Sequence, residues 1–264
     1  MDSEAPMGDL RDDGQAGTRA RAADAERTEG AVTERGLREM VAAAGRMLTA
    51  QGLTDYLGHC SARVPGTDRV IIKPKHSKRV RSPSALGPDD MVVIDLDGNL
   101  VDGADPPPSE RFIHTEIYRA RPDVAAVVHT HQRAATLLGV IGADLLPVLH
   151  VPAVLTGGGA IATWPCPLLV TGPSLGRDLA AALGGGSLCH LQGHGIVSVA
   201  SGMPRAAVTA IALEQLAEAN LTILQTGRTP RVITRGELDE LRGTIASVDG
   251  RWAYYLQMTD EEDC

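Results

Sequence analysis

Residues 124–131, Val-Ala-Ala-Val-Val-His-Thr-His, constrain this chain more than any other stretch. The small and β-branched apolar run reads as a buried strand. Side chains alternate faces along a strand, so His129 and His131 point the same way. Two imidazoles on one face can chelate a single divalent ion without bending the backbone. On its own, a His-x-His pair on a strand is more often incidental than metal-binding. Two further segments change the weighting. Leu191-Gln192-Gly193-His194-Gly195 places a histidine between glycines, where a turn can bring it close to something. Pro107-Pro108-Ser109-Glu110 places a carboxylate just before an expected helix. Three histidines and one carboxylate suffice for a metal centre with an open position, as a catalytic site requires.

The rest of the chain reads as α/β. Leu37, Met40, Val41, Ala44 and Leu48 recur at helical spacing, and Gly52 suits the position after that helix. Further helices are expected over 109–120, 133–141, 174–183, 204–226 and 236–257, with Pro204 in a first turn. Short strands are expected at 70–72, 91–94, 126–129, 168–170, 188–191 and 196–199, and Asp97-Gly98 marks a tight turn. The two triple-glycine runs, 157–159 and 184–186, lack phosphate-loop spacing and read as connectors. His150 and His190 read as structural. Residues 1–32 carry mixed charges and few large apolar groups, so they are expected to be a flexible tail before a single folded domain over 33–264.

Composition bounds the function. A 43% hydrophobic content supports a sizeable core, and 3% aromatic content means that core is built from Ala, Val, Leu and Ile. A net charge of −8 argues against nucleic-acid binding. Cys60, Cys166, Cys189 and Cys264 show no Cys-x-x-Cys spacing, which suits a cytoplasmic location. With no basic-then-apolar leader and no long apolar run, neither a signal peptide nor a membrane span is expected.

Five segments in order resemble the class II aldolase/adducin family, over roughly residues 37–224. Gly58-His59-Cys60-Ser61-Ala62-Arg63 resembles its glycine-led substrate loop, and Val70-Ile71-Ile72-Lys73-Pro74 the strand-to-proline segment that follows. Ser109-Glu110 through His114 resembles its Ser-Glu-x-x-x-His segment. Arg121-Pro122-Asp123 leading into His129-Thr130-His131 is similar to its metal strand, and Gln192-Gly193-His194-Gly195 to its third-ligand turn. The resemblance implies a single-domain, three-layer α/β/α fold with a central, mostly antiparallel sheet. It implies His129, His131 and His194 as ligands of one divalent ion, with zinc favoured over manganese, iron or cobalt, and Glu110 as the proton-transfer group. It also implies a homotetramer with active sites between subunits. There Tyr254 and Tyr255 would reach a neighbouring site, although simple packing of their helix fits equally well.

The departures from the family bear on substrate. Sugar-phosphate aldolases carry a Thr-Pro-x-Gly segment and a serine pair that cradle phosphate. Here Lys73-Pro74-Lys75-His76-Ser77 fills the first and Pro108-Ser109 reduces the second, while His59 replaces an asparagine. Positive charge at longer reach suits a carboxylate, and the segment resembles members that decarboxylate dihydroxyphthalate. The expected substrate is an oxygenated small carboxylate held by His59, Ser61, Lys73, Lys75, His76 and Ser109, whereas Lys78, Arg79 and Arg81 read as a solvated face. A sugar-phosphate aldolase or epimerase, and a non-catalytic adducin-like module, are the alternatives. The changed loop speaks against the first and the intact Glu110/His set against the second.

Overall fold

The structure, a computed structural model, describes residues 33–54, 57–77, 82–245 and 247–261. The expected tail, Lys78, Arg79, Arg81 and Cys264 lie outside the described residues.

The first helix, α1 (Glu34–Ala50), buries Leu37, Val41, Ala44 and Leu48 along one stripe. Gly52 N donates to Thr49 O (2.9 Å) and Leu53 N to Leu48 O (2.9 Å), which satisfies carbonyls the helix end leaves open. Eight strands follow: β1 (His59–Arg63), β2 (Arg69–Ile72), β3 (Val92–Asp95), β4 (Leu100–Asp102), β5 (Ala126–Thr130), β6 (Ala162–Trp164), β7 (Leu188–Leu191) and β8 (Gly195–Ala200). They form one sheet in the order β4-β3-β2-β1-β5-β8-β7-β6, antiparallel throughout except for the β6–β7 pair. The connecting helices are α2 (Phe112–Ala120), α3 (Arg133–Val140), α4 (His150–Thr156), α5 (Pro173–Leu183), α6 (Met203–Gln225), α7 (Arg235–Thr244) and α8 (Val248–Glu261).

Strand alternation sorts the core into two layers. Cys60, Ala62, Ile71, Val93, Ala126 and Val128 join the cluster that includes α1, α3 and α6. Val70, Ile72, Val92, Val127 and Val197 face the other way, against Ile113, Ile117 and Tyr118 of α2 and Leu179 and Leu183 of α5. The result is the expected three-layer arrangement around a central sheet. Each fully buried aliphatic side chain contributes about 1.5–3 kcal/mol of transfer free energy. The central strands are thereby held rigidly, and they position the functional residues.

Some elements differ from expectation. Residues 168–170 form no strand. Leu168 and Leu169 are exposed, and the Val170 amide donates to the Glu110 carboxylate instead of to a ladder. The helix expected over 236–257 is two helices, because Ile245 turns extended (ψ 128°). The helix expected from 109 begins at Phe112, which leaves Ser109 and Glu110 in the preceding turn. The segment at 59–63, read as a loop, is a strand because β2 and β5 pair with it on both sides. β6 and α4 were not anticipated. Helix α6 has the length and mean hydropathy (1.2) of a membrane span, contrary to expectation, but Ala206, Ala210, Leu213 and Leu216 are buried in the core.

Candidate functional site

Because Val128 faces the α1 side, its neighbours Val127 and His129 face α2. His129 is fully buried, and its Nδ1 lies 2.9 Å from Ile196 O. A carbonyl only accepts, so Nδ1 carries the proton and the Nε2 lone pair is free. Burial, then the charges of His131 and His194, hold His129 well below the ordinary imidazole value. It is therefore neutral, as metal ligation demands. His131 follows the strand end, and its Nε2 lies 3.1 Å from that of His129.

His194 sits in the turn between β7 and β8, built by its two glycines. Gly193 adopts φ +66°, and a Cβ on Gly195 would lie 2.2 Å from Thr130 O, so any larger residue there would push β8 off β5. The three imidazole rings are mutual neighbours, with centroids 4.9, 4.9 and 5.1 Å apart.

Glu110 completes the cluster from the turn before α2. Its Oε1 accepts from Val170 N (2.8 Å), and its Oε2 lies 3.5 Å from His194 Nε2. Burial by itself would push this carboxyl up. Hydrogen bonding to His194 and the Val170 amide, and the charges of His194 and His131, outweigh it and hold Glu110 below the usual carboxylate range. Glu110 is thus ionised near neutrality.

A divalent ion fits these residues. One ligand atom from each of Glu110, His129, His131 and His194 lies within 4.8 Å of all the others. Both ring nitrogens of His194 are buried, Nδ1 with no partner and Nε2 with only the long 3.5 Å contact to Glu110, and a coordinated cation would remove that cost.

Beside the cluster is a 230 Å³ cavity lined by Leu57, His59, Lys73, Pro74, Lys75, His76, Pro108, Ser109, Glu110 and Leu169. Five of the six expected substrate residues thus share a wall with Glu110. Lys73 is buried and donates from Nζ to Leu57 O (2.9 Å), whereas Lys75 and His76 are exposed. The sixth, Ser61, is placed differently. It points the same way as His59 but lies beneath the lining, fully buried, where Oγ meets His114 Nδ1 (2.6 Å) and the Tyr118 hydroxyl (2.8 Å). A side chain so enclosed supports the wall and does not touch a ligand. Tyr254 and Tyr255 do not line the cavity. Tyr255 packs in the core, its hydroxyl accepting from Gln215 Nε2 (3.3 Å), and Tyr254 is exposed on α8.

Sequence reading missed His114, Tyr118, Val170 and Leu169 as parts of this site. His114 and Tyr118 had a signal: four residues apart, they share one face of α2. The Val170 amide had none, since its role depends on tertiary placement.

With this geometry in view, comparison with known proteins is informative. Residues 39–221 match the Class II Aldolase and Adducin N-terminal domain family, and the chain belongs to that family. It is 30% identical over 224 residues to a 3,4-dihydroxyphthalate decarboxylase from Arthrobacter keyseri, covering 80% of this chain and 88% of that protein. It is 31% identical over 211 residues to a 5-methylthioribulose-1-phosphate/5-deoxyribulose-1-phosphate aldolase from Rhodospirillum rubrum, covering 78% and 89%. Among solved structures, an aldolase II superfamily protein from Pseudomonas syringae superposes with a TM-score of 0.75 over 90% of this chain and 97% of that one. At 23% identity, that match speaks for the fold alone.

Proposed function

We propose that this class II aldolase-type lyase is a metal-dependent decarboxylase of a dihydroxy aromatic acid of the dihydroxyphthalate kind. One observation carries the reading: Lys73, Lys75 and His76 line the same cavity as Glu110, which itself belongs to the three-histidine cluster. Two lysines and an imidazole on that wall suit a second carboxylate on the substrate. The decarboxylase relative, aligned over most of the chain, supports it.

His129, His131 and His194 would hold the ion, with zinc favoured. When bound, it would polarise the substrate's adjacent oxygens and offset the negative charge that develops as the carbon–carbon bond breaks. Glu110, ionised at rest, takes the proton of a ring hydroxyl next to the departing carboxylate and returns it to the ring carbon bearing that group. The carbon–carboxylate bond then breaks, its electron pair restores the aromatic ring, and carbon dioxide leaves. Solvent reprotonates the hydroxyl, so one proton is consumed per turnover. Lys75, His76 and Ser109 grip the retained carboxylate, while Lys73 and Pro74 shape the wall.

We assign residues 33–264 to one catalytic domain of a cytoplasmic homotetramer. The exposed Tyr254 on α8 would be free to meet a neighbouring subunit there.

A second reading, retro-aldol cleavage of a phosphorylated ketose, is favoured by the aldolase relative, which is 31% identical. The test offers the metal-loaded protein 3,4-dihydroxyphthalate and 5-deoxyribulose 1-phosphate side by side. Carbon dioxide from the first without cleavage of the second is expected. Cleavage of the ketose phosphate alone would replace the decarboxylase with the aldolase.

A further inference from the structure

Beneath the cavity wall lies a chain of four buried side chains outside the metal cluster. His59 Nδ1 lies 2.6 Å from His114 Nε2, His114 Nδ1 2.6 Å from Ser61 Oγ, and Ser61 Oγ 2.8 Å from the Tyr118 hydroxyl. The Tyr118 hydroxyl in turn lies 2.9 Å from the backbone oxygen of Ser61. Ser61, His114 and Tyr118 are almost wholly buried, and only His59 reaches the cavity.

Proton bookkeeping along this chain has one solution that satisfies every contact. A carbonyl oxygen can only accept, so the Tyr118 proton must go to Ser61 O, or two oxygens would face each other at 2.9 Å with nothing between them. With the Tyr118 proton committed, the contact to Ser61 Oγ needs the proton of Ser61. The Ser61–His114 contact then needs a proton on His114 Nδ1, and the His114–His59 contact one on His59 Nδ1. His114 carries no second proton, since its Nε2 must accept from His59 and burial pushes it down to about 3; burial likewise disfavours a second proton on His59. Each ring thus has one N–H, and His59 is left with an unprotonated Nε2.

We propose that Tyr118, Ser61 and His114 lock His59 in its Nδ1–H tautomer, so that its bare Nε2 accepts a hydrogen bond from a hydroxyl of the substrate in the cavity. His59 becomes a specificity residue that favours a hydroxyl over an oxyanion, and the other three are positioning residues that act through it. This rests on the dihydroxy aromatic reading for the identity of the hydroxyl, but the tautomer does not depend on that reading. The family's asparagine at this position could turn its amide either way. A histidine wired to three buried groups cannot.

The test is solid-state ¹⁵N NMR of the zinc-loaded, full-length protein labelled in histidine, with the His59 signals identified by their loss in His59→Asn. The expected result is Nδ1 protonated and Nε2 unprotonated. Tyr118→Phe frees the Ser61 proton to move to His114, so Nε2–H signal from His59 should appear. Affinity for 3,4-dihydroxybenzoate should fall about tenfold, the worth of a hydrogen bond that has lost its acceptor, while zinc content stays unchanged. Should Tyr118→Phe fail to fold, the wild-type tautomer alone decides. A proton on His59 Nε2 in the wild type would overturn the proposal, as would an unchanged tautomer in a folded Tyr118→Phe. Loss of zinc in His59→Asn would overturn it too, by making His59 a ligand. If the tautomer is as expected but 3,4-dihydroxybenzoate does not bind the wild type, the lock is upheld and the substrate reading falls.

Discussion

The three-histidine cluster and the cation-bearing wall meet at Glu110 but are built in opposite ways. His129 is wholly buried on a strand paired on both sides, to β1 through His59 and to β8 through Val197. His194 is held by a hairpin turn whose glycine cannot be enlarged. Lys75 and His76 sit beyond the end of β2 on exposed backbone, with the Lys75 amide tied to Pro106 O (2.8 Å). Of the positions that converge within 4.8 Å, His129 is fixed by ladders on both sides, and His131 and His194 sit where the strand and hairpin beside them end. Positions that need only supply charge at reach are carried on a loop, where side chains can change without disturbing the fold. In this chain the three-histidine cluster is therefore harder to alter than the loop beside it.

Four perturbations probe that contrast, in descending order of effect. Removing a ligand should be the most severe. His129→Ala should lose the metal and lower turnover by about a thousandfold or more, since Lewis-acid stabilisation is worth several kcal/mol. Metal analysis and turnover measured on one preparation check this, and a variant that keeps both would break the contrast at its firm end. Glu110→Gln should keep the fold and most of the metal but lower turnover by about a hundredfold or more, the usual worth of a positioned proton-transfer group. Full activity would mean another group moves the proton. Lys75→Ala should act chiefly on KM, because a charge contact made in ground and transition state alike is uniform binding. Its exposure screens the contact, so about a fivefold rise is expected. A larger loss in kcat than in KM would place Lys75 in the chemistry.

The smallest effect concerns acid stability. Burial holds His114 at about 3 in the folded state, against an ordinary value of 6.5. Below 6.5 the unfolded chain binds a proton that the folded one does not, so stability present above 6.5 drains away as pH falls toward 3. From pH 7 to pH 6 the loss from this residue is about 0.7 kcal/mol. Urea unfolding of the metal-free protein at both pH values should show that difference for the wild type, reduced in His114→Asn. The subtraction removes the parallel contributions of His59 and His129, which burial also holds below the ordinary value.

The sequence was most legible where chemistry and periodicity coincide. The strand carrying His129, the glycine-bracketed His194 and the apolar stripe of α1 could all be read because alternation or helical spacing is local. The legible signal weakened wherever tertiary pairing decides. Residues 59–63 looked like a loop because their strand character comes from β2 and β5 on either side. Residues 168–170 looked like a strand because three apolar residues lie together, yet their amide serves a carboxylate sixty residues away. Ser61 illustrates the same limit within the site. Read as part of a loop, it was grouped with His59 among the substrate residues, but strand pairing and the packing of α2 enclose it beneath the lining.

On the proposed function, the three-histidine cluster and the cationic wall work together on one substrate. The most direct test titrates a divalent metal into chelator-stripped protein while recording carbon dioxide released from 3,4-dihydroxyphthalate. Release should rise in step with bound metal to a plateau at one ion per chain, and His194→Ala should show neither binding nor release. Carbon dioxide released at full rate by the stripped protein, or metal bound at one per chain with no release from this acid, would contradict it.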